Sequence, residues 1–254
     1  MRKNLLFVII VCLVFSATSC KKKNACTIST TDAKQSFAQK PAAPEEDASD
    51  FCLLTDSIPD VILEIRYFST YNFVGARVEG YMEPLALITK EAASALRKVN
   101  SELKNKGYRL KIYDTYRPQC AVDHFMRWAK NFSDTLTKSS FYPDLTKKQI
   151  FEQGFVATKS SHTRGSTVDL TLVDAVTGKD VDMGGVFDYF GQSSHTDYDG
   201  VTVKQHNNRM ILQDAMIRHG FTPFDGEWWH FTLANEPYPN TYFTFPVCAS
   251  SIKK

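Results

Sequence analysis

The stretch STVDLTLVD, residues 166–174, constrains the fold more than any other part of this chain. Val168, Leu170 and Leu172 recur at every second position, which predicts a β-strand with those three side chains on one face. Asp169 and Thr171 then fall on the other face. A carboxylate in the middle of an apolar strand is costly to bury unpaired. The fold must therefore bring a metal ion, another cation or hydrogen-bond donors to that face. His162 stands seven residues upstream. A histidine and a carboxylate suit zinc, and they equally suit a plain hydrogen bond.

A further motif favours the metal. GEWWHF places Glu227 three residues before His230. A catalytic zinc takes three protein ligands and keeps one position open for water. His162, Asp169 and His230 would supply the three. Glu227, a carboxylate that does not ligate, would take the proton from that water. In a flat strand, residues three apart face opposite sides. Glu227 is therefore expected in the turn after Asp225 and Gly226, or on a bulge. The competing reading of EWWH is an aromatic core with incidental polar groups.

DTYRP adds a guanidinium. Arg117 lies between the end of one predicted strand and the start of a helix, a common place for a functional loop. It could stabilise the oxyanion of a cleaved amide, or form a surface ion pair with Asp114. The two are compatible if Asp114 orients Arg117. The tetrapeptide SSHT, which carries His162, recurs at 193–196. His195 there is followed by the turn-like DYDG, so a solvated loop is expected, with a substrate lid as the alternative.

The rest of the chain supplies a frame. TKEAASALRKVNSELKNKG reads as an amphipathic helix, with Thr89 as N-cap, Ala92, Leu96, Val99 and Leu103 inward, and Gly107 at its end. YRLKIYD alternates as a strand. Pro118 opens a helix with Val122, Phe125, Met126 and Ala129 inside. KKQIFEQG is a short helix, residues 205–219 a longer one stopped by Gly220, and EWWHFTL a strand. This irregular alternation predicts an α+β fold, a single domain with a small, mainly antiparallel sheet and helices packed on one side.

That domain is expected over 51–254. Residues 20–50, with QKPAAPEEDASD, lack periodicity and read as a flexible tether. Residues 1–19 read as a signal peptide: basic MRKN, then the apolar run LLFVIIVCLVF, too short to span a bilayer comfortably. SATSC resembles a bacterial lipobox, with Ala17 where Leu is usual, and implies lipidation of Cys20. The alternatives are an ordinary secreted protein or an anchored one. The chain is thus expected on a membrane, facing the periplasm or cell exterior, held by its lipid. Cys26, Cys52, Cys120 and Cys248 remain, without CxxC spacing, so one or two disulfides are open but a cysteine zinc site is not expected. Net charge is +2, and Arg2, Lys3, Lys21, Lys22 and Lys23 crowd the first 23 residues. No nucleic-acid surface is expected, and nothing speaks to oligomeric state.

Taken together, these motifs resemble the zinc D-alanyl-D-alanine dipeptidases, the VanX type within peptidase family M15. The family pattern Ser-x-His-x-x-Gly-x-x-x-Asp, then Glu-x-x-His, falls on Ser160, His162, Gly165 and Asp169, then Glu227 and His230. DTYRP, SSHTRGSTVDLTL, MGGVFDYF, EWWHF and EPYPNTYFTFPV carry the dipeptidase branch, and the likeness runs from about Ser57 to Val247. The resemblance implies one zinc on His162, Asp169 and His230, with Glu227 as base and Arg117 near the oxyanion. It implies Asp188 as the anion for the substrate's ammonium group and Ser160 beside the dipeptide. It implies a substrate-side tyrosine in IRYFSTYNFVG, at Tyr67 or else Tyr71. Thr115 replaces a usual Gly, and Thr167 a usual small residue; both could crowd the pocket. The export signal also departs, because resistance members are cytoplasmic. The implied activity is hydrolysis of short D,D-dipeptides in peptidoglycan metabolism or recycling. The rivals are a D,D-carboxypeptidase or endopeptidase on stem peptides and a non-catalytic wall-binding lipoprotein.

Overall fold

The computed structural model describes residues 46–252, Gly154 excepted. The elements run β1 (Phe51–Leu53), α1 (Leu54–Ser57), β2 (Ile62–Leu63), β3 (Leu87–Thr89), α2 (Lys90–Lys104), β4 (Tyr108–Asp114), α3 (Gln119–Lys130), α4 (Lys138–Phe141), α5 (Lys147–Glu152), β5 (Thr167–Asp174), α6 (Val203–Arg218), β6 (Phe221–Phe224) and β7 (Glu227–Leu233). The main sheet has the order β2-β4-β5-β7-β6, and β1 pairs with β3 in a second, two-stranded sheet. Only β2–β4 is parallel; the other pairings are antiparallel. This is the expected α+β fold.

Strand alternation divides the main sheet into a dry face and a chemical face. Leu110 lies opposite Leu172, Ile112 opposite Leu170, and Val168 opposite Phe231. All six are buried. α2 packs against β4, α6 against β6 and β7, and the two helices against each other. Burying each of these apolar side chains is worth about 1.5–3 kcal/mol. The other face carries Asp169 directly across from His230, and Asp114 across from Asp169.

Two irregularities in the ladders shape that second face. β4 shifts register between Ile112 and Asp114, inserting one extra residue. A bulge of this kind sets two residues against one. Asp114 therefore joins Asp169 on the chemical face, where regular pairing would have turned it away. Between Pro223 and Phe224 the β6–β7 ladder also shifts, so that Phe224 pairs with Glu227 while Pro223 pairs with Phe231. Glu227 and His230, three apart, can thus face one cavity, which resolves the geometric difficulty of EWWH.

Most local expectations match the elements. Thr89 caps α2 and accepts from Ala92 N. Ala92, Leu96, Val99 and Leu103 are fully buried. The helix ends at Lys104, three residues before Gly107. β6, with its proline, is an edge strand, where a missing N–H is tolerated. Within the stretch read as a tether, residues 46–50 are attached to the fold. Ala48 is buried, Asp50 accepts from the Tyr238 hydroxyl, and Glu46 accepts from Thr244 N at 2.6 Å. The stretch read as a signal peptide, Cys20 and Cys26 lie outside the described residues. Cys52, Cys120 and Cys248 are free thiols.

Candidate active site

The loop from α5 to β5 delivers the first histidine. Residues Ser161–Arg164 form a single 3-10 turn, capped by the Ser160 hydroxyl, which accepts from His162 N at 3.3 Å. Gly165 ends the turn at φ +86°, and a Cβ there would lie 2.3 Å from the Phe51 ring. Only glycine fits both the backbone angle and the space. The turn aims His162 at the chemical face, and β5 begins two residues later.

Three ligand-type groups meet there. His162, Asp169 and His230 each offer one donor atom, all within 4.8 Å of one another. His162 Nε2 is 3.1 Å from Asp169 Oδ2 and 3.3 Å from His230 Nδ1. His230 Nδ1 is 3.0 Å from Asp169 Oδ1. The outer nitrogens are already committed: His162 Nδ1 contacts the Thr115 carbonyl at 2.7 Å and His230 Nε2 the Ser161 hydroxyl at 3.3 Å. A carbonyl can only accept, so His162 carries its proton on Nδ1 and turns the Nε2 lone pair inward. Asp169 Oδ1, though close to His230, has no hydrogen aligned on it in its buried position. Two imidazole nitrogens and a carboxylate converging on one point fit a divalent metal well. Two histidines and one carboxylate, with one side open, are a donor set of the catalytic zinc type.

Charge around the cluster follows from burial and neighbours. Burial opposes charge on Asp169, yet His162 and His230 hold its carboxyl below the usual carboxylate range. Burial lowers the His162 imidazole. Glu227 Oε2 lies 3.4 Å from His230 Nδ1, at the open side, and its side chain keeps 38% exposure. Burial of the carboxyl group, and Asp169 beside it, push it up, partly offset by His230. Arg117 bridges the cluster: Nε to Asp114 Oδ2 at 2.9 Å, Nη2 to Asp169 Oδ2 at 3.5 Å, and Nη1 to the Ser160 hydroxyl at 3.4 Å. Asp114 is 1% exposed, so the pair is buried and not the surface bridge that was the alternative. Tyr81 donates to the other Asp114 oxygen at 2.6 Å.

Asp188 lines the same cavity. Burial drives its carboxyl well above the usual range, and Asp169 adds repulsion. Tyr67 donates to Oδ1 at 3.0 Å, while the buried Oδ2 has no partner. Asp188 is also the one non-glycine residue at positive φ among the described residues, at 64°. A carboxylate with one buried oxygen left without a partner, on a left-handed backbone, is the mark of a waiting cation site.

A profile of the Peptidase M15 family, described as D-ala-D-ala dipeptidase, matches residues 47–248. The chain belongs to this family. It is 40% identical over 197 residues to a D-alanyl-D-alanine dipeptidase of Enterococcus faecium, covering 78% of this chain and 98% of the relative. It is 38% identical over 198 residues to one from Streptomyces coelicolor (strain ATCC BAA-471 / A3(2) / M145), with the same coverage of both. A dipeptidase of that name from Escherichia coli (strain K12) is 32% identical over 187 residues, covering 74% of this chain and 86% of its own.

In this M15 family member, His162, Asp169, His230, Glu227, Arg117, Ser160, Asp188 and Tyr67 all line one cavity of about 540 Å³. Asp114 lies behind Arg117. Tyr71 is outside the cavity and 57% exposed, with the Arg66 guanidinium over its ring at 4.4 Å. The two threonine departures do not crowd the pocket. Thr115 and Thr167 are buried behind it, one offering its carbonyl to His162 and the other bonding Thr232. The second SSHT is not the unordered loop expected. Its backbone is fixed by Arg209, fully buried, which donates to Ser193 O, His195 O and Met183 O. The exposed His195 side chain lines the cavity.

Several supporting groups escaped the sequence reading. Thr115 acts through its backbone, which residue type does not signal. Tyr81 is adjacent to the site only because its loop folds back. Ser161 had a visible cue, since it directly precedes a predicted ligand.

Proposed function

We propose that this chain is a zinc-dependent dipeptidase that hydrolyses D-alanyl-D-alanine to free D-alanine in cell-wall metabolism. The observation that carries the reading is one cavity lined by a three-ligand metal cluster, by Glu227, and by Asp188, whose buried Oδ2 has no partner.

His162 Nε2, His230 Nδ1 and Asp169 would hold the ion. When bound, zinc supplies a Lewis acid that polarises the amide carbonyl and acidifies the attacking water. Glu227 accepts the proton of that water. The oxygen adds to the carbonyl carbon, the C–N bond breaks, and Glu227 returns the proton to the leaving amine. Arg117, fixed by Asp114, donates to the oxygen on which negative charge develops, and a donor already aimed there costs no reorganisation. Asp188 and the Tyr67 hydroxyl hold the substrate's free ammonium group. An N-acylated peptide would place a neutral amide against a buried anion and be rejected. That disfavours intact stem peptides as substrates.

The finer setting belongs to the same proposal. The basic start, the eleven-residue apolar run and SATSC support an exported lipoprotein anchored through Cys20. The enzyme then trims dipeptides released from wall material outside the cytoplasm. The test is turnover of D-Ala-D-Ala against N-acetyl-D-Ala-D-Ala, with and without chelator, by wild type and Glu227→Gln. Chelator-sensitive hydrolysis of the free dipeptide alone, abolished by the substitution, is expected. Equal rates on both peptides would overturn the dipeptidase assignment.

A further inference from the structure

The cavity's volume of about 540 Å³ sits well inside the range of about 300–1,000 Å³ that encloses drug-sized ligands. A peptide with two methyl side chains leaves much of it unfilled. The unfilled part has a definite chemistry, and it begins at the ammonium end. The Tyr67 ring, whose hydroxyl meets Asp188, contacts Phe125 at 5.0 Å and Phe73 at 6.0 Å between centroids. Phe73 contacts Phe190 at 5.2 Å, and Phe190 contacts Phe155 at 5.6 Å. All five rings line the cavity. They form a continuous aromatic wall from Asp188 to the mouth, where Phe155 is 44% exposed. The Arg117 guanidinium lies over the inner end of the same wall, 4.9 Å from the Tyr67 centroid and 5.2 Å from Phe125. On the other side of the metal cluster stand Glu227, Gly226 and His195, with one ring, Phe224, exposed and 5.7 Å from His230 between centroids.

We propose that this wall is a subsite for a bulky apolar side chain on the N-terminal residue of the dipeptide. The inference rests on the dipeptidase reading. With the ammonium on Asp188 and the carbonyl at Arg117, the first residue's side chain is the substrate group that lies along these rings. The enzyme's preferred class is then D,D-dipeptides with a large first residue, such as D-Phe-D-Ala or D-Leu-D-Ala. Phe155 is a specificity-determining residue, because it is the exposed outer ring of the wall.

The test compares D-Ala-D-Ala, D-Phe-D-Ala and D-Ala-D-Phe as substrates of the zinc-loaded wild type and Phe155→Ala. It also measures binding of each peptide to Glu227→Gln by calorimetry. D-Phe-D-Ala is expected to show a KM about tenfold below that of D-Ala-D-Ala, as burial of an aromatic ring in an apolar site predicts, and to bind more tightly to Glu227→Gln. In Phe155→Ala, the ratio of kcat/KM for D-Phe-D-Ala to that for D-Ala-D-Ala should fall several-fold. Hydrolysis of D-Ala-D-Ala with no binding of D-Phe-D-Ala would overturn the subsite and leave the dipeptidase standing. A preference for D-Ala-D-Phe over D-Phe-D-Ala would overturn its assignment to the first residue. No hydrolysis of any of the three by wild type would remove both.

Discussion

Replacing Arg117 with lysine separates its catalytic from its structural work. Arg117 spreads three nitrogens over Asp114, Asp169 and the Ser160 hydroxyl at 2.9, 3.5 and 3.4 Å. Both carboxylates are nearly inaccessible, at 1% and 3% side-chain exposure. Removing the cation altogether would strand them, at a cost of about 3–5 kcal/mol in stability. Lysine keeps the charge but has one ammonium in place of a planar fork. It can stay with Asp114 or reach the substrate oxygen, but not hold both. The loss is then that of one oxyanion donor, about 10²–10³ in kcat, or about 2.7–4 kcal/mol. KM should change little, because the interaction strengthens only as charge develops. Steady-state kinetics on D-Ala-D-Ala, with metal content and circular dichroism as controls, reads this out. Wild-type kcat in a folded, metal-loaded Arg117→Lys protein would refute the role given to Arg117.

Three further outcomes are expected. Gly165→Ala must place a Cβ 2.3 Å from the Phe51 ring at φ +86°. It should lower the thermal midpoint by an amount corresponding to about 1–3 kcal/mol and weaken metal retention through His162; unchanged unfolding would contradict the packing argument. Asp188→Asn should raise KM for the free dipeptide and narrow the discrimination against its N-acetyl form. In the metal-free chain it has a stability signature too. Burial raises the folded-state carboxyl of Asp188 above its unfolded value, so stability is highest below the unfolded pKa and is lost as pH rises through the folded one. The substitution should therefore stabilise the apo chain at neutral pH and not in acid, as a pair of melts at both pH values would reveal. Finally, Cys20→Ala should move the protein from the membrane to the soluble fraction on cell fractionation; continued membrane association would contradict lipid anchoring at Cys20.

The chemical face was legible in the sequence because its residues violate local logic. Asp169 stands in an apolar strand, and Glu227 and His230 sit in an aromatic run, so each demanded an explanation other than packing. The long strands and helices followed from their periods, as the complete burial of Leu110, Ile112, Leu170 and Leu172 illustrates. What stayed hidden depends on register. No local pattern tells that β4 carries an extra residue before Asp114, or that the β6–β7 ladder slips to align Glu227 with His230. The short strands β1, β2 and β3 have two or three residues each, too few to show a period. The ordering of the second SSHT comes from Arg209, a side chain on α6 whose partners are backbone carbonyls. Its burial could not be inferred from a charged residue that ends the polar first half of that helix, KQHNNR.

Metal analysis of the purified protein, beside an Asp169→Asn variant, tests the three-ligand centre most directly. About one zinc per chain in the wild type and a large loss in the variant, with both folded, is the predicted result. Equal zinc in the two proteins, or none in a folded wild type exposed to zinc, would contradict it.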